Sequence, residues 1–575
     1  MSRQSLLLNL TVAAVLGLGL QAASAAKLHW PLPEDSLAVN GVHQTKVSHI
    51  TMKIPPPSAL PRTGLHPKAA QGLKRRYSGA AIDVLNYHYD NYPTGWNQSE
   101  TDLTPATVGS ASFGQLASLH VDGNVFAQPL MVSNFTMPDN SVHDVLIVAT
   151  GHDSVYAFDA QTYALLWKRS LGKAQPTDDV GCGDIRPEYG ISSTPVIVRT
   201  GTGAATIYVV AATEPASFSF HTKIHALDLG TGHDLVKAHE INPQAKLATG
   251  GVMHFDPQNQ WNRSSLAYAN GSIYVDIGSH CDNNAGSISG WVLRYDAATL
   301  DLSNRFNTIE ASAGYELSSV WMSGYAPAIG PDGRLYAVTG NGNYNLAKGA
   351  KGYGESVISL TSDLNKKQVD TFTPSNFQSL NDGDVDFGSG GAMLIPAVDG
   401  QQAPPMLVAM GKAGVLYLLD ASSLGGLEGT AGSGGLQQIS SSACWCGAAY
   451  YKGHNGGVVF YQGYGDVLRA YKVATGSKPS LTEIKDGTSG AGFGGSFPVV
   501  SSNGSAAHTG VVWVLRRGST MQVEAYDAEN LGAPLFAANA GTWTSDRGDY
   551  SSTLVANGRV YAPASGTVTV FGLTD

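Results

Sequence analysis

The stretch Val155-Tyr156-Ala157-Phe158-Asp159-Ala160 decides the fold, because similar phrases return along the whole chain. Four further strong copies end at Asp228, Asp296, Asp420 and Asp527, and three weaker copies lie at 357–363, 467–472 and 568–571. Each copy is typical of a strand that ends on a turn, and two further strands precede it. The Asp positions 159, 228 and 296 are 69 and 68 residues apart. Eight such units of four strands indicate a β-propeller.

Composition supports an all-β chain. Of 575 residues, 68 are glycine, where a usual share of about 7% would give far fewer. Charged residues are 14%, against a usual share of about 25%. These values favour many short strands joined by tight turns. We therefore predict an eight-bladed β-propeller of four-stranded antiparallel blades, with seven blades as the alternative.

The eight-blade count leaves the last unit one strand short. The segment 114–121, ahead of the first blade, could supply that strand and close the ring. Closure would remove the exposed sheet edges that invite aggregation.

The charge balance excludes some functions. The formal net charge is −10, and scattered Lys and Arg residues offer no face that would neutralise phosphates, so we expect no nucleic-acid partner. The hydrophobic content of 43% also excludes a disordered chain. The oligomeric state is left open.

The N-terminus predicts export. An apolar run at 6–20 precedes Ala23-Ser24-Ala25, which matches a signal-peptidase site. We predict a signal peptide at 1–25, a Pro-rich leader or linker at 26–95 and the propeller at 96–575. No later stretch reaches the ~18 apolar residues of a membrane span, so the expected location is secreted or periplasmic.

Four cysteines suit an exported chain with disulfides. Three pairings are possible. We favour Cys182 with Cys281, both in Gly-flanked loops, and leave Cys444 and Cys446 either bridged or free. The sequence has no Cys-x-x-Cys-His motif, so we expect no haem c.

The repeat resembles that of the pyrroloquinoline quinone (PQQ) enzymes, whose pattern is Ala-x-Asp-x-x-Thr-Gly-x-x-x-Trp. The stretch 157–162 followed by Trp167 is close to it, and 226–232 keeps the Thr-Gly without the Trp. The resemblance covers about residues 95–575 and implies the propeller fold.

The resemblance also implies a cofactor site, because quinoprotein alcohol dehydrogenases hold PQQ above a calcium ion at the propeller mouth. Their metal ligands correspond here to Asp282, Asn341 and Asp386. The pair Asp384 and Asp386 would supply the catalytic base, and Lys412 would touch the quinone oxygens as a catalytic and cofactor-binding cation. Trp321 resembles the tryptophan that stacks on the cofactor.

These residue types suit that chemistry. Calcium takes oxygen ligands, which Asp and Asn provide. The ion would polarise a quinone carbonyl while a carboxylate removes the alcohol proton, and a lysine would stabilise charge on the reduced quinone. Three features differ from the family: no adjacent Cys-Cys pair, Asp282 in place of Glu, and Gly383 where a tryptophan usually precedes the Asp-x-Asp.

Two functions follow from the resemblance. The first is a secreted PQQ- and Ca²⁺-dependent dehydrogenase that oxidises an alcohol, sugar or polyol and passes electrons to an external acceptor. The alternative is a non-catalytic propeller that serves as a binding or assembly scaffold.

Overall fold

The computed structural model describes residues 77–247, 250–309, 317–344, 352–397, 405–545 and 550–574. The predicted signal peptide and the first part of the predicted leader, residues 26–76, lie outside the described residues.

The described chain forms an eight-bladed β-propeller, as the sequence predicts, and not the seven-bladed alternative. Two strands precede the first blade, namely β1 (Trp96–Asn97) and β2 (Phe113–Asn124). Blade 1 comprises β3 (Leu130–Thr136), β4 (Val142–Thr150), β5 (Ser154–Asp159) and β6 (Leu165–Ser170). A small pair follows, β7 (Gln175–Pro176) with β8 (Glu188–Tyr189). Blade 2 comprises β9 (Val196–Gly201), β10 (Ala204–Thr213), β11 (His221–Asp228) and β12 (His239–Glu240).

The next three blades follow the same plan. A second small pair, β13 (Gln244–Lys246) with β14 (Val252–His254), precedes them. Blade 3 comprises β15 (Gln260–Trp261), β16 (Ala267–Ala269), β17 (Ser272–Ser279), β18 (Trp291–Asp296) and β19 (Leu302–Asn307). Blade 4 comprises β20 (Ala328–Ile329), β21 (Leu335–Val338), β22 (Val357–Leu360) and β23 (Asp370–Thr373). Blade 5 comprises β24 (Ala392–Ile395), β25 (Met406–Met410), β26 (Val415–Asp420) and, after β27 (Gly426–Leu427) on the edge of blade 4, β28 (Gly435–Ser440).

The last three blades complete the ring. Blade 6 comprises β29 (Ala449–Gly453), β30 (Gly456–Tyr461), β31 (Val467–Ala474) and β32 (Ser480–Gly490). Blade 7 comprises β33 (Val499–Ser501), β34 (Val511–Arg516), β35 (Thr520–Asp527) and β36 (Phe536–Thr542). Blade 8 comprises β37 (Leu554–Ala556) and the long β38 (Arg559–Leu573), with β2 as its outer strand.

Helical segments are short. The α-helical ones are Pro105–Val108, Thr177–Val180 and Phe377–Asp382, and the 3₁₀ turns are Tyr87–Tyr89, Ala285–Ser287, Met322–Gly324 and Phe387–Ser389. No helix among the described residues has the length and apolar character that crossing a membrane requires.

In blade 1 the Asp of the motif bonds to the following turn, and the Trp of the motif bonds to blade 2. Asp159 Oδ1 accepts hydrogen bonds from the backbone N–H groups of Gln161 (2.8 Å) and Thr162 (2.6 Å). Trp167 Nε1 donates to the carbonyl of Leu229 in blade 2, at 2.9 Å. Its ring lies against Gly232, where a Cβ atom would be 2.7 Å from Trp167 Cε3. The Trp of the first copy therefore packs against a position of the second copy that has room only for Gly.

The N-terminal strand closes the ring. The segment 114–121 lies within β2, which pairs antiparallel with β38, so that Phe113 is opposite Leu573 and His120 is opposite Thr567. Blade 8 thus joins the two ends of the propeller, and β2 covers an edge that β38 would otherwise expose.

Residues 84–97 form a second closure, which we call the axial strap. The sequence places most of this stretch in the leader, whereas here it bonds to the innermost strands of successive blades. The carbonyls of Leu85, Asn91 and Tyr92 accept from Ile197 (2.7 Å), Ile329 (2.6 Å) and Leu394 (3.2 Å). Those of Thr94 and Gly95 accept from Tyr450 (2.8 Å) and Val500 (2.7 Å). Since innermost strands surround the propeller axis, the strap lies within the axial channel.

Candidate functional site

The predicted site residues lie at one end of the propeller, which we call the mouth. Asp282 follows β17, Asn341 follows β21 and Lys412 follows β25, each the strand next to the innermost one. Asp384 and Asp386 precede β24, an innermost strand. Because adjacent strands are antiparallel, second strands end where innermost strands begin. Loops from blades 3, 4 and 5 therefore meet here.

The structure brings the three predicted metal ligands together. Asn341 Nδ2 donates to Asp384 Oδ1 at 2.7 Å and to Asp282 Oδ2 at 3.2 Å. The backbone N–H of Asn341 donates to Asp386 Oδ1 at 2.7 Å. Ser279 Oγ donates to the other oxygen of Asp282. Asn341 and the three aspartates thus form one cluster, which we call the acidic cluster, although they come from distant parts of the sequence.

Lys412 is the cation of the cluster. Its Nζ lies 2.5 Å from Asp386 Oδ2 and 3.2 Å from Asp384 Oδ1. Burial alone would lower the pKa of Lys412, but the charges of the two carboxylates outweigh burial and raise it. The Asp386 side chain is only 6% exposed and that of Asp384 is 75% exposed. Asp386 is therefore held in place, while Asp384 faces the open mouth.

Two tryptophans flank Lys412. The centre of the Trp321 ring lies 5.8 Å from Lys412 Nζ, and that of the Trp445 ring lies 5.7 Å away. Trp321 was predicted to stack on the cofactor, and the structure places it beside the cluster. Trp445 was not singled out, because it precedes a strand of blade 6 and has no spacing relation to the other motifs.

Both disulfides are formed, and both lie near the mouth. Cys182 bonds Cys281, as favoured from the sequence, with the Cα atoms 5.6 Å apart. Cys444 bonds Cys446, which resolves the alternative left open. The first bridge holds the loop that carries Asp282, and the second encloses Trp445.

Glu355 is a further acidic residue that the motifs did not indicate. Its Oε2 accepts from the backbone N–H of Phe387 at 2.6 Å, directly after Asp386. Its Oε1 is buried and has no hydrogen-bond partner among the described residues. Burial, with the neighbouring charge of Asp386, raises the pKa of Glu355 well above its usual range. Nothing in the sequence marks Glu355, since its approach to Asp386 depends on how blades 4 and 5 pack.

Arg263 was also missed as a site residue. It follows β15 and is 5% exposed. Its guanidinium carbon lies 3.7 Å from the centre of the Tyr550 ring and 4.8 Å from that of Trp321. The Trp321 ring thus lies near both Arg263 and Lys412 of the acidic cluster.

The cluster fits a cation with oxygen ligands. Asn341 Oδ1 is buried without a hydrogen-bond partner among the described residues, so turning the amide would bring an oxygen to the carboxylates without breaking a bond to Oδ1. Burial, followed by the charge of Asp386, raises the pKa of Asp282 to about 6. Lys412 alone does not offset the carboxylates, and a divalent ion would relieve their repulsion.

Comparisons with known proteins show the fold. Two similar structures are quinohemoprotein alcohol dehydrogenases, one from Comamonas testosteroni and one from Pseudomonas putida. Each has a TM-score of 0.53 and 14% identity, and each alignment covers 85% of this chain and 80% of the other. A europium-containing methanol dehydrogenase has a TM-score of 0.52 and 12% identity, over 85% of this chain and 98% of the other. No protein-family model and no curated protein matches the sequence.

The chain therefore shares the β-propeller fold of these quinoprotein dehydrogenases, the fold that the repeat predicted. At 12–14% identity the comparisons establish the architecture that it shares with these dehydrogenases. Its activity is argued from the site.

Proposed function

We propose that this protein is an exported dehydrogenase that uses PQQ and a metal ion to oxidise an alcohol, sugar or polyol, with an external electron acceptor. The observation that carries the proposal is the convergence of Asp282, Asn341 and Asp386 at the mouth, with Lys412 and Asp384 beside them. If these residues served only to stabilise the turns of their own blades, contacts between side chains of different blades would not be needed.

Each residue has a distinct role in this proposal. Asp282, Asp386 and the amide oxygen of Asn341 would hold the ion, because hard cations take such ligands. Bound PQQ would accept two electrons, and the bound ion would act as a Lewis acid. Asp384, exposed at the mouth, would take the proton of the substrate hydroxyl. Lys412 would stabilise negative charge next to Trp321.

The experiment is reconstitution of the purified protein. An absorbance titration with PQQ should show binding in the presence of Ca²⁺, and the loaded protein should reduce an artificial dye with an alcohol or sugar. Because one similar structure is a europium-containing methanol dehydrogenase, Eu³⁺ should be tested in parallel with Ca²⁺.

Two variants sharpen the experiment. Asp386→Ala should abolish dye reduction, because it removes a ligand and the partner of Lys412. Asp301→Ala is the matched control, since its side chain is 73% exposed in the turn between β18 and β19 of blade 3. Absence of PQQ binding with either ion would refute the proposal and would favour the non-catalytic scaffold.

A further inference from the structure

Trp445, Tyr464 and Phe493 form an aromatic patch at the mouth, which we call the aromatic platform. Trp445 precedes the innermost strand β29, while Tyr464 follows β30 and Phe493 follows β32, so all three lie at the mouth end of their strands. The ring centres of Trp445 and Phe493 are 5.2 Å apart, and those of Phe493 and Tyr464 are 5.5 Å apart. Tyr464 is 39% exposed, and the other two are half-buried. The three rings therefore form one aromatic surface that extends to solvent.

Trp445, the residue of the platform nearest to the acidic cluster, is held in place from several sides. The disulfide between Cys444 and Cys446 encloses it. Its backbone N–H donates to the carbonyl of Gly494 at 2.9 Å, and its own carbonyl accepts from Arg517 Nη2 at 3.1 Å. A Cβ atom on Gly494 would lie only 3.2 Å from Trp445 Cβ, so the two loops are closely packed. A surface that is fixed in advance loses little conformational entropy when a ligand binds, and the platform therefore suits recognition.

Charged groups lie at one edge of the platform. Lys412 Nζ is 5.7 Å from the centre of the Trp445 ring and 3.2 Å from Asp384 Oδ1. The Asp384 side chain is 75% exposed, so a ligand can reach this carboxylate from solvent. A ligand the size of one six-membered ring, resting on Trp445, would present its edge to both charged groups. The site thus combines a flat apolar face with a few hydrogen-bonding groups beside it.

We propose that the aromatic platform binds a pyranose ring, so that the substrate is a sugar in its cyclic form. A pyranose with equatorial hydroxyl groups has a face made only of C–H groups, which leaves water when it packs on an aromatic ring. Its hydroxyl groups point outward from the ring edge, where Asp384 accepts and Lys412 donates charge-assisted hydrogen bonds. An acyclic polyol has no such face, and an aromatic alcohol has no ring of hydroxyl groups at its edge. The inference rests on the proposed function for the reaction, but not for the binding.

The test is a ligand-observed NMR titration of the purified protein with Ca²⁺ and no added PQQ. Three probes are compared: methyl β-glucopyranoside, the acyclic polyol glucitol, and benzyl alcohol. The pyranoside should bind more tightly than benzyl alcohol, and about three- to tenfold more tightly than glucitol, which is the gain that an aromatic contact provides. Binding is measured without catalysis, so the result does not depend on a working dehydrogenase.

Two variants of the platform and one control complete the experiment. Trp445→Ala should weaken pyranoside binding about three- to tenfold and leave glucitol binding nearly unchanged, because only the pyranoside uses the ring face. Tyr464→Ala, at the exposed end, should weaken pyranoside binding at least about twofold. Phe218→Ala is the control, because Phe218 follows β10, also at the mouth end, and is 69% exposed, with Phe220 as its ring neighbour at 6.2 Å. This control should bind all three probes as the wild type does.

The outcomes separate this inference from the proposed function. If the pyranoside binds no better than glucitol, or if Trp445→Ala binds it as the wild type does, the sugar assignment is wrong, and the proposed function is still decided by PQQ binding and dye reduction. If benzyl alcohol binds most tightly, the platform recognises an aromatic ring and the sugar assignment is wrong as well. If the pyranoside binds through Trp445 but PQQ does not bind, the sugar subsite stands and the dehydrogenase function fails. Where circular dichroism shows that Trp445→Ala is unfolded, the Tyr464→Ala comparison decides.

Discussion

Gly340→Ala is a perturbation that acts mainly on Asp386 of the acidic cluster. A Cβ atom on Gly340 would lie 2.1 Å from Asp386 Oδ1 and 3.0 Å from Trp321 Nε1. Nonbonded heavy atoms prefer about 3.5–4.0 Å, so the Asp386 carboxylate must move by more than an ångström. Gly340 is not among the glycines with positive φ, and its backbone therefore tolerates alanine.

The cost can be worked from the contacts that the shift breaks. Asp386 would lose its 2.7 Å bond from the backbone N–H of Asn341, and a hydrogen bond to a charged group contributes about 1.5–3 kcal/mol. Replacing Gly by Ala returns about 0.4–1 kcal/mol through the unfolded chain. We expect a net loss of about 1–2 kcal/mol in the free energy of unfolding, together with weaker Ca²⁺ binding because a ligand is displaced.

The assay is urea unfolding followed by tryptophan fluorescence, with calorimetric titration of Ca²⁺ on the folded protein. Gly114→Ala is the matched control, because a Cβ atom there meets nothing within 4 Å and should change stability by less than about 0.5 kcal/mol. The reasoning would be refuted if Gly340→Ala matched this control in both measurements.

Three further predictions concern the channel and its mouth. Tyr325→Phe removes the Oη donor to the strap carbonyl of Pro93 (2.7 Å), and should lower the free energy of unfolding by about 1–2 kcal/mol in urea; an unchanged midpoint would mean that this bond does not anchor the strap. Burial lowers the pKa of His88 to about 3, so between that pH and about 6.5 the unfolded state binds more protons, and stability should fall as pH decreases, by about 1.4 kcal/mol per pH unit. In urea unfolding at pH 7, 6 and 5, the free energy of unfolding should depend less steeply on pH for His88→Gln than for the wild type. Equal slopes for the two proteins would contradict the lowered pKa of His88. Replacing Cys182 and Cys281 by Ser removes a cross-link between residues 99 apart in sequence. The free energy of unfolding should fall by up to about 4–5 kcal/mol, and Ca²⁺ binding should weaken. If both quantities stayed unchanged, the bridge would not hold the loops of the mouth in place.

The sequence by itself determined the architecture. Its repeat is local: Asp159, Asp296 and Asp527 each accept hydrogen bonds at Oδ1 from the N–H groups two and three residues later. Such a pattern is readable from spacing alone, and repetition of one unit then defines the propeller. The closing segment at 114–121 followed from the same count, because the last unit lacked a strand.

The candidate ligands could be found for a related reason. Asp282, Asn341 and the Asp384–Asp386 pair each lie at a strand end within a repeat, so a resemblance in order along the chain was enough to select them. Their mutual distances were not available from the sequence, since Asp282 and Asp386 come from different blades. Only the packing of blades 3, 4 and 5 brings their side chains into contact.

The tertiary structure alone decided the features that have no repeat. The axial strap carries no strand periodicity, and its backbone bonds are made one at a time to the innermost strands of successive blades. Glu355 and Arg263 occur in no recognisable motif, and their significance comes from contacts with residues of other blades. A local sequence pattern predicts the contacts that a residue makes within its own blade. The contacts that a residue makes near the propeller axis are with residues distant in sequence, so they depend on how the blades pack in the tertiary structure.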